Sequence, residues 1–121
     1  MKAKSDGKSL SILVAQGESR TLTGFCSASR LTPRQRGCDF EVAAIYVSPR
    51  RLRKGIGTAL LQSMLAEIRT LGAKKVILRT IDGTPSCAFY ESLGWARQRG
   101  RKIIAMDGRS IPIDEYTRNA D

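Results

Sequence analysis

Apolar positions along this chain recur with two different periods. From Ser9 to Ala15 and from Thr21 to Ala28, short strand-like runs flank Gln16-Gly17-Glu18-Ser19-Arg20, whose glycine and polar side chains suit a hairpin turn. These first two strands are expected to be antiparallel. Arg30-Leu31-Thr32-Pro33-Arg34-Gln35-Arg36-Gly37 is polar, basic and punctuated by Pro and Gly, so it reads as a mobile loop before a third strand, Asp39 to Val47, which Ser48-Pro49 ends. Beyond a basic stretch, Gly55-Ile56-Gly57 opens a segment in which Ile56, Leu60, Leu61, Met64, Leu65, Ile68 and Leu71 follow a helical spacing. The spacing predicts an amphipathic helix stopped by Gly72. Val76-Ile77-Leu78, between Lys75 and Arg79, reads as a short buried strand. Thr84-Pro85 then supplies an N-cap and a proline at the first helical position of a second helix, which runs to about Leu93 with Gly94 as its stop. Trp95 to Met106 and Ser110 to Thr117 flank Asp107-Gly108, a two-residue hairpin signal. Pro112 cannot donate to a ladder, which places its strand at an edge or a bulge.

The expected fold is α/β: one domain over residues 1–121, a mixed sheet with element order β-β-β-α-β-α-β-β and no internal repeat or linker. The strand, helix and strand from Asp39 to Ile81 should form a right-handed crossover between parallel neighbours. A chain of 121 residues leaves almost no room for a second domain, so a single one is expected, and 41% apolar with 26% charged residues is ordinary globular usage. No run approaches the length of a membrane span, and the start, Met1 to Asp6, lacks the apolar stretch of a signal peptide, so a soluble cytoplasmic protein without membrane contact is expected.

Composition then narrows the chemistry. Histidine is absent, which removes Ser/His/Asp and Cys/His nucleophile systems and imidazole metal ligands. Three cysteines, Cys26, Cys38 and Cys87, form no CxxC pair; no disulfide framework and no metal site is expected. Lys and Arg number 21 against 11 Asp and Glu, a net charge of +10, and 14 of the 21 are Arg. A polyanion is the natural partner, either nucleic acid or a cofactor carrying several phosphates, since the guanidinium fork grips phosphate.

The most informative stretch runs from Val47 through Ser48-Pro49-Arg50-Arg51-Leu52-Arg53-Lys54-Gly55-Ile56-Gly57-Thr58 to Leu61. A strand feeds a glycine turn into a helix N-terminus, where unpaired N–H groups and the positive dipole end make an anion site. Gly55 and Gly57 let the backbone approach a diphosphate, and Arg50, Arg51, Arg53 and Lys54 add charge. Two nucleotide motifs are excluded: the dinucleotide fingerprint needs glycine where Leu60 stands, and a P-loop ending at Gly7-Lys8-Ser9 needs glycine where Lys2 stands.

Together with Ala88-Phe89-Tyr90-Glu91-Ser92-Leu93-Gly94-Trp95, this stretch resembles the GNAT superfamily of N-acetyltransferases, from about Ser11 to the C-terminus. The resemblance implies a GNAT-like acyl-CoA N-acyltransferase fold, abbreviated at its N-terminus, with acetyl-CoA as cosubstrate. It implies that Arg53, Lys54, Gly55, Gly57 and Thr58 hold the coenzyme A pyrophosphate. Ile45 and Val47 would offer backbone groups to the pantetheine arm where their strand splays from its neighbour. Tyr90 would stand near the sulfur and supply the leaving thiolate with a proton. Two positions depart from the pattern: Leu52 stands where Arg or Gln is usual, and Asp82 to Ser86 lacks the usual asparagine.

Strand alternation puts Glu41, Ala43, Ile45 and Val47 on one face and Val42, Ala44 and Tyr46 on the other. Glu41 matches a glutamate base of some superfamily members; a carboxylate there would take the proton that an ammonium must lose before attacking a thioester, with Asp39 as the alternative. From the residues alone, Glu41 reads equally as a strand-start surface glutamate paired with one of the many arginines. Cys87 reads as a buried small side chain, Trp95 and Phe25 as core. Arg97, Arg99, Arg101 and Lys102 read as one exposed strand face.

The expected activity is acetyl transfer from acetyl-CoA to a primary amine of a peptide, a protein or a small molecule; the basic charge disfavours polycations. The acceptor side is expected to be open, closed by a second subunit, by the Arg30 to Gly37 loop or by the substrate. Two other classes stand beside this reading: a coenzyme A-binding regulatory module without turnover, and a basic nucleic-acid-binding domain, which the scarcity of exposed aromatics for stacking disfavours.

Overall fold

The computed structural model describes residues 2–5, 10–16, 22–49, 55–100 and 102–121. Its elements are β1 (Lys2–Ser5), β2 (Leu10–Gln16), β3 (Leu22–Gln35), β4 (Cys38–Val47), α1 (Ile56–Thr70), β5 (Lys75–Ile81), α2 (Pro85–Ser92), β6 (Ala96–Arg97), β7 (Lys102–Met106) and β8 (Arg109–Asn119). One sheet runs β1-β2-β3-β4-β5-β8-β6, with β7 also paired to β8. As the sequence implies, β2 and β3 are antiparallel and β4 and β5, joined through α1, are parallel. Among the described residues no helix is long and apolar enough to cross a membrane.

Four expectations need correction. A strand the sequence reading missed, β1, pairs with β2; its Lys-Ala-Lys-Ser composition carries no apolar signal, because strand pairing comes from backbone groups. The Arg30 to Gly37 segment is not a loop: β3 continues to Gln35 and turns through Arg36 and Gly37, both at positive φ, straight into β4. Its ladder does skip from the Arg30↔Phe40 pair to Gln35↔Cys38, so residues 31–34 bulge around Pro33 and look loop-like in sequence. The strand expected from Trp95 to Met106 is broken: Ala96–Arg97 and Lys102–Met106 pair with separate stretches of β8. Period-two spacing therefore does not carry across the gap. Arg97 turns to Asp114, Lys102 to Glu115, and Arg101 lies outside the described residues. Finally, Phe25 is not core; it is half-buried and stacks on Tyr46 with ring centroids 5.8 Å apart.

Both helices pack on one face of the sheet. Leu60, Leu61, Met64, Leu65 and Ile68 of α1 meet Cys26 and Ala28 of β3, Phe40 and Val42 of β4, Val76 and Leu78 of β5, and Tyr116 of β8. Each helix ends in the same glycine device. At α1 the amides of Gly72 and Ala73 reach back to the carbonyls of Arg69 and Ile68, with Gly72 at φ 93°. At α2 the amides of Gly94 and Trp95 reach those of Glu91 and Tyr90. This turn closes on an apolar contact between its last residue and the helix's final turn. Here it sets Trp95, 3% exposed, beside Tyr90 with ring centroids 6.4 Å apart.

Candidate active site

The pairing of β4 with β5 covers only Phe40↔Val76, Glu41↔Ile77 and Val42↔Leu78. Past Val42 the strands part, while β4 stays paired to β3 through Val47. The β5-side backbone edge of Ala44 to Val47 consequently has no ladder partner among the described residues. The expected splay is present. A cleft of about 700 Å³ opens there, lined by Ile45, Val47, Gly55, Ile56, Gly57, Thr58, Pro85, Ser86, Phe89 and Tyr90. Six of the sequence-predicted residues, Ile45, Val47, Gly55, Gly57, Thr58 and Tyr90, thus line one cavity. Arg53 and Lys54 lie outside the described residues.

The start of α1 forms one wall. Gly55 is its N-cap in the left-handed conformation at φ 77°, a region that a side chain enters only with strain. No side chain among the described residues caps the helix and no acid sits in its first turn, so the first-turn N–H groups and the dipole have no anionic partner among the described residues. Gly57 is needed for a different reason. A Cβ there would stand 3.3 Å from the Phe89 ring and 3.6 Å from Val47 Cγ2, filling the channel between α1 and α2. These features fit a diphosphate followed by a slender amide-bearing arm: uncapped amides at one end, a passage kept open by a missing Cβ, and an unpaired strand edge beyond it.

Tyr90 stands on the α2 side of the cleft. Its ring packs among Phe89, Trp95 and Tyr116, and its hydroxyl makes no hydrogen bond among the described residues. Burial pushes its phenol pKa upward, with smaller contributions from Cys26 and Cys87, so the group holds its proton at neutral pH. Cys87 is partly exposed rather than buried, its sulfur 3.7 Å from Asp114 Oδ2 and 3.8 Å from the Ile81 carbonyl.

Glu41 does not share the cleft face with Ile45 and Val47. The β3–β4 register shifts between Ser27↔Ala44 and Ala28↔Val42, leaving Ala43 as an extra residue. This bulge inverts the alternation, so Phe40 and Val42 lie on the helix face with Ile45 and Val47, while Glu41 lies with Ala44 and Tyr46 on the opposite face. A bulge adds one residue without a compositional mark, and Glu41-Val42-Ala43-Ala44-Ile45 gives no hint of it.

On that opposite face Glu41 is paired with an arginine, Arg79, as its residue-level reading expects, and the pair belongs to a wider network around Glu115. Arg79 donates from Nη1 to Glu41, from Nη2 to Gln35 and from Nε to Glu115 Oε2 at 2.7 Å. Arg36 Nε donates to Glu115 Oε1 at 2.6 Å, and Lys102 Nζ lies 3.5 Å from Glu115 Oε2. Glu115 is only 1% exposed. Burial pushes its carboxyl pKa up, but the hydrogen bonds from Arg36 and Arg79 outweigh this and hold it below the usual carboxylate range. The only sequence signal was a charged pair, Asp114-Glu115, inside an otherwise strand-like run. Asp39, the alternative base, accepts the backbone N–H groups of Lys74 at 3.1 Å and Lys75 at 3.0 Å, which ties the α1–β5 connection to β4.

Comparison with known proteins settles the family. Residues 3–95 match the Acetyltransferase (GNAT) family. The chain is a member of it. Over 81 residues, 67% of its length, it is 33% identical to an uncharacterized N-acetyltransferase, YuaI, of Bacillus subtilis (strain 168), and it spans about half of that relative, 47%. The structure of nourseothricin acetyltransferase superimposes with a TM-score of 0.81 at 22% identity, covering 99% of this chain and 71% of that one. Arabidopsis thaliana NAA60 in complex with a bisubstrate analogue gives 0.79 at 18% identity, covering 94% and 77%. At these identities the structural likeness is one of fold, and this GNAT domain shares the mixed sheet and two helices expected for it.

Proposed function

We propose that this GNAT domain transfers an acetyl group from acetyl-CoA to a primary amine by direct attack of the amine on the thioester. The observation that carries the reading is the single cleft in which the uncapped start of α1, the unpaired β4 edge and Tyr90 follow one another. When bound, acetyl-CoA supplies an acetyl group activated as a thioester. The N–H groups from Gly55 to Thr58 hold its diphosphate, with Arg53 and Lys54 preceding them in the chain. Backbone groups at Ile45 and Val47 take the amides of the arm and polarise the acyl carbonyl. Tyr90, protonated at neutral pH, donates its phenolic proton to the departing sulfur.

Glu41 takes the proton of the incoming ammonium, directly or through one water. It pairs with Ile77 one residue before β4 and β5 part, on the face opposite the helices. The amine therefore approaches from that face and meets the acyl group through the opening, while the coenzyme stays on the helix side. Two substrates enter from two sides of one sheet, which suits direct transfer better than a covalent enzyme intermediate.

Thermal melts with acetyl-CoA, coenzyme A and an oligonucleotide test the binding, followed by thiol release over an amine panel. Both coenzyme forms should raise the midpoint, by a stabilisation of about 2.7 kcal/mol at a hundredfold excess over Kd, and the oligonucleotide should not. Glu41→Gln should displace the pH profile of transfer toward alkaline values. Stabilisation by the oligonucleotide alone would overturn the assignment, and an unaltered profile would remove Glu41 from the proton path.

A further inference from the structure

The face opposite the helices sets Glu41 at the edge of a cationic cluster, paired with Arg79. Arg79 on β5, Arg36 at the β3–β4 turn and Lys102 on β7 bind the two acids Glu41 and Glu115. Three cations against two carboxylates leave this patch with one excess positive charge. Glu115 is already engaged by all three cations, and Glu41 by Arg79. Of these three cations Lys102 is the most exposed, at 56%, and among the described residues its ion pair with Glu115 is long, 3.5 Å.

The walls beside the opening are apolar. Tyr46 on β4 and Ile81 on β5 belong to the same face as Glu41 and Arg79, past the point where the strands part, and each is 45% exposed. Exposed large apolar residues flanking a cationic patch call for a ligand that brings both an apolar body and a negative charge. A polyamine or a lysine-rich tail brings the wrong charge to a patch of excess +1 on a chain of +10.

On the reading above that this domain acetylates amines, we infer that its acceptor is an amino-acid-like molecule, with a carboxylate or similar anionic group beside the reacting amine and an apolar side chain. The amine faces Glu41 and the opening, the anion lies toward Lys102 and Arg36 Nη1, which makes no hydrogen bond among the described residues, and the side chain rests against Tyr46 and Ile81. The negative group also lowers the net charge of the ammonium form, so the acceptor reaches a basic surface as a zwitterion.

Paired acceptors that differ only in the carboxylate test this: phenylalanine against phenethylamine, leucine against 3-methylbutylamine, with spermidine as the polycation. Thiol release should give kcat/KM at least tenfold higher for each amino acid than for its decarboxylated partner, and spermidine should be poorest. Lys102→Glu and added salt should each shrink that ratio. Equal values within the pairs, or preference for spermidine, would overturn the inference while leaving acetyl transfer intact. If no amine is acetylated, the transfer reading fails separately, and calorimetry of the same pairs against the coenzyme A-saturated protein still decides: tighter binding of the amino acids supports the acceptor class, and equal or absent binding refutes it.

Discussion

The two faces of this sheet are built from different chemistry. The helix face is apolar and closely packed, and its openings are made by what is missing: a Cβ at Gly57, a cap at the start of α1, ladder partners along Ala44 to Val47. The opposite face is held by charge, with Arg79 joining three partners from β3, β4 and β8. The Ala43 bulge allows one strand to serve both, since it turns Ile45 and Val47 to the cleft and leaves Glu41 on the other face. Substitutions on the helix face should act through space and shape. Those on the opposite face should act through charge.

Glu115→Gln tests the charge-held face most strongly. It removes a buried charge while leaving Arg36 and Arg79 in place, and should cost about 3 kcal/mol of stability, against under about 1 kcal/mol for Glu41→Gln in its more exposed pair. Because the Glu115 pKa is depressed in the folded state, the wild-type advantage is present above the carboxyl's unfolded value and is lost as pH falls through the lower folded one. Urea denaturation at neutral and acidic pH checks both statements. Equal costs for the two substitutions would show that the network is not what holds this face.

Tyr90→Phe keeps the ring packing and removes only the hydroxyl. Transfer should fall about a hundredfold, about 2.7 kcal/mol in the barrier, with coenzyme A affinity and melting temperature nearly unchanged; loss of stability without loss of turnover would make Tyr90 a packing residue. Gly57→Val should weaken coenzyme A about thirtyfold, about 2 kcal/mol, by crowding Phe89 and Val47. Titration calorimetry reads this, with the ligand-free melt recorded to separate closure of the cleft from misfolding. Undiminished affinity would mean that the cofactor does not pass Gly57.

The smallest effect concerns the helix face alone. Burial pushes the Cys26 thiol up from 9.0 to about 12. The unfolded chain releases this proton first, so the stability it contributes is full below about pH 9 and is lost as pH rises toward 12. Between pH 9 and pH 10 the loss should be about 1 kcal/mol, and Cys26→Ala should flatten the slope in a pH series of melts. An identical slope in the variant would place the titrating group elsewhere.

Much of the helix face was legible in the chain. Apolar spacing marked α1, Thr84-Pro85 and Leu93-Gly94-Trp95 marked both ends of α2, and glycines at 55 and 57 marked the turn, because each is a local requirement of backbone geometry. The opposite face was not. Its contacts join residues far apart in sequence, such as Arg36 with Glu115, and a period-two reading of β4 fails at a bulge that has no compositional signature. The same limit explains the Arg97 to Lys102 series, where an interrupted strand sends alternate-looking cations to different faces.

A crystal structure with coenzyme A bound bears most directly on the central claim. The account predicts the diphosphate on the N–H groups from Gly55 to Thr58, the arm along the free edge of Ile45 and Val47, and the sulfur at the Tyr90 hydroxyl. A ligand seated elsewhere, with α1's first turn left uncontacted, would contradict it.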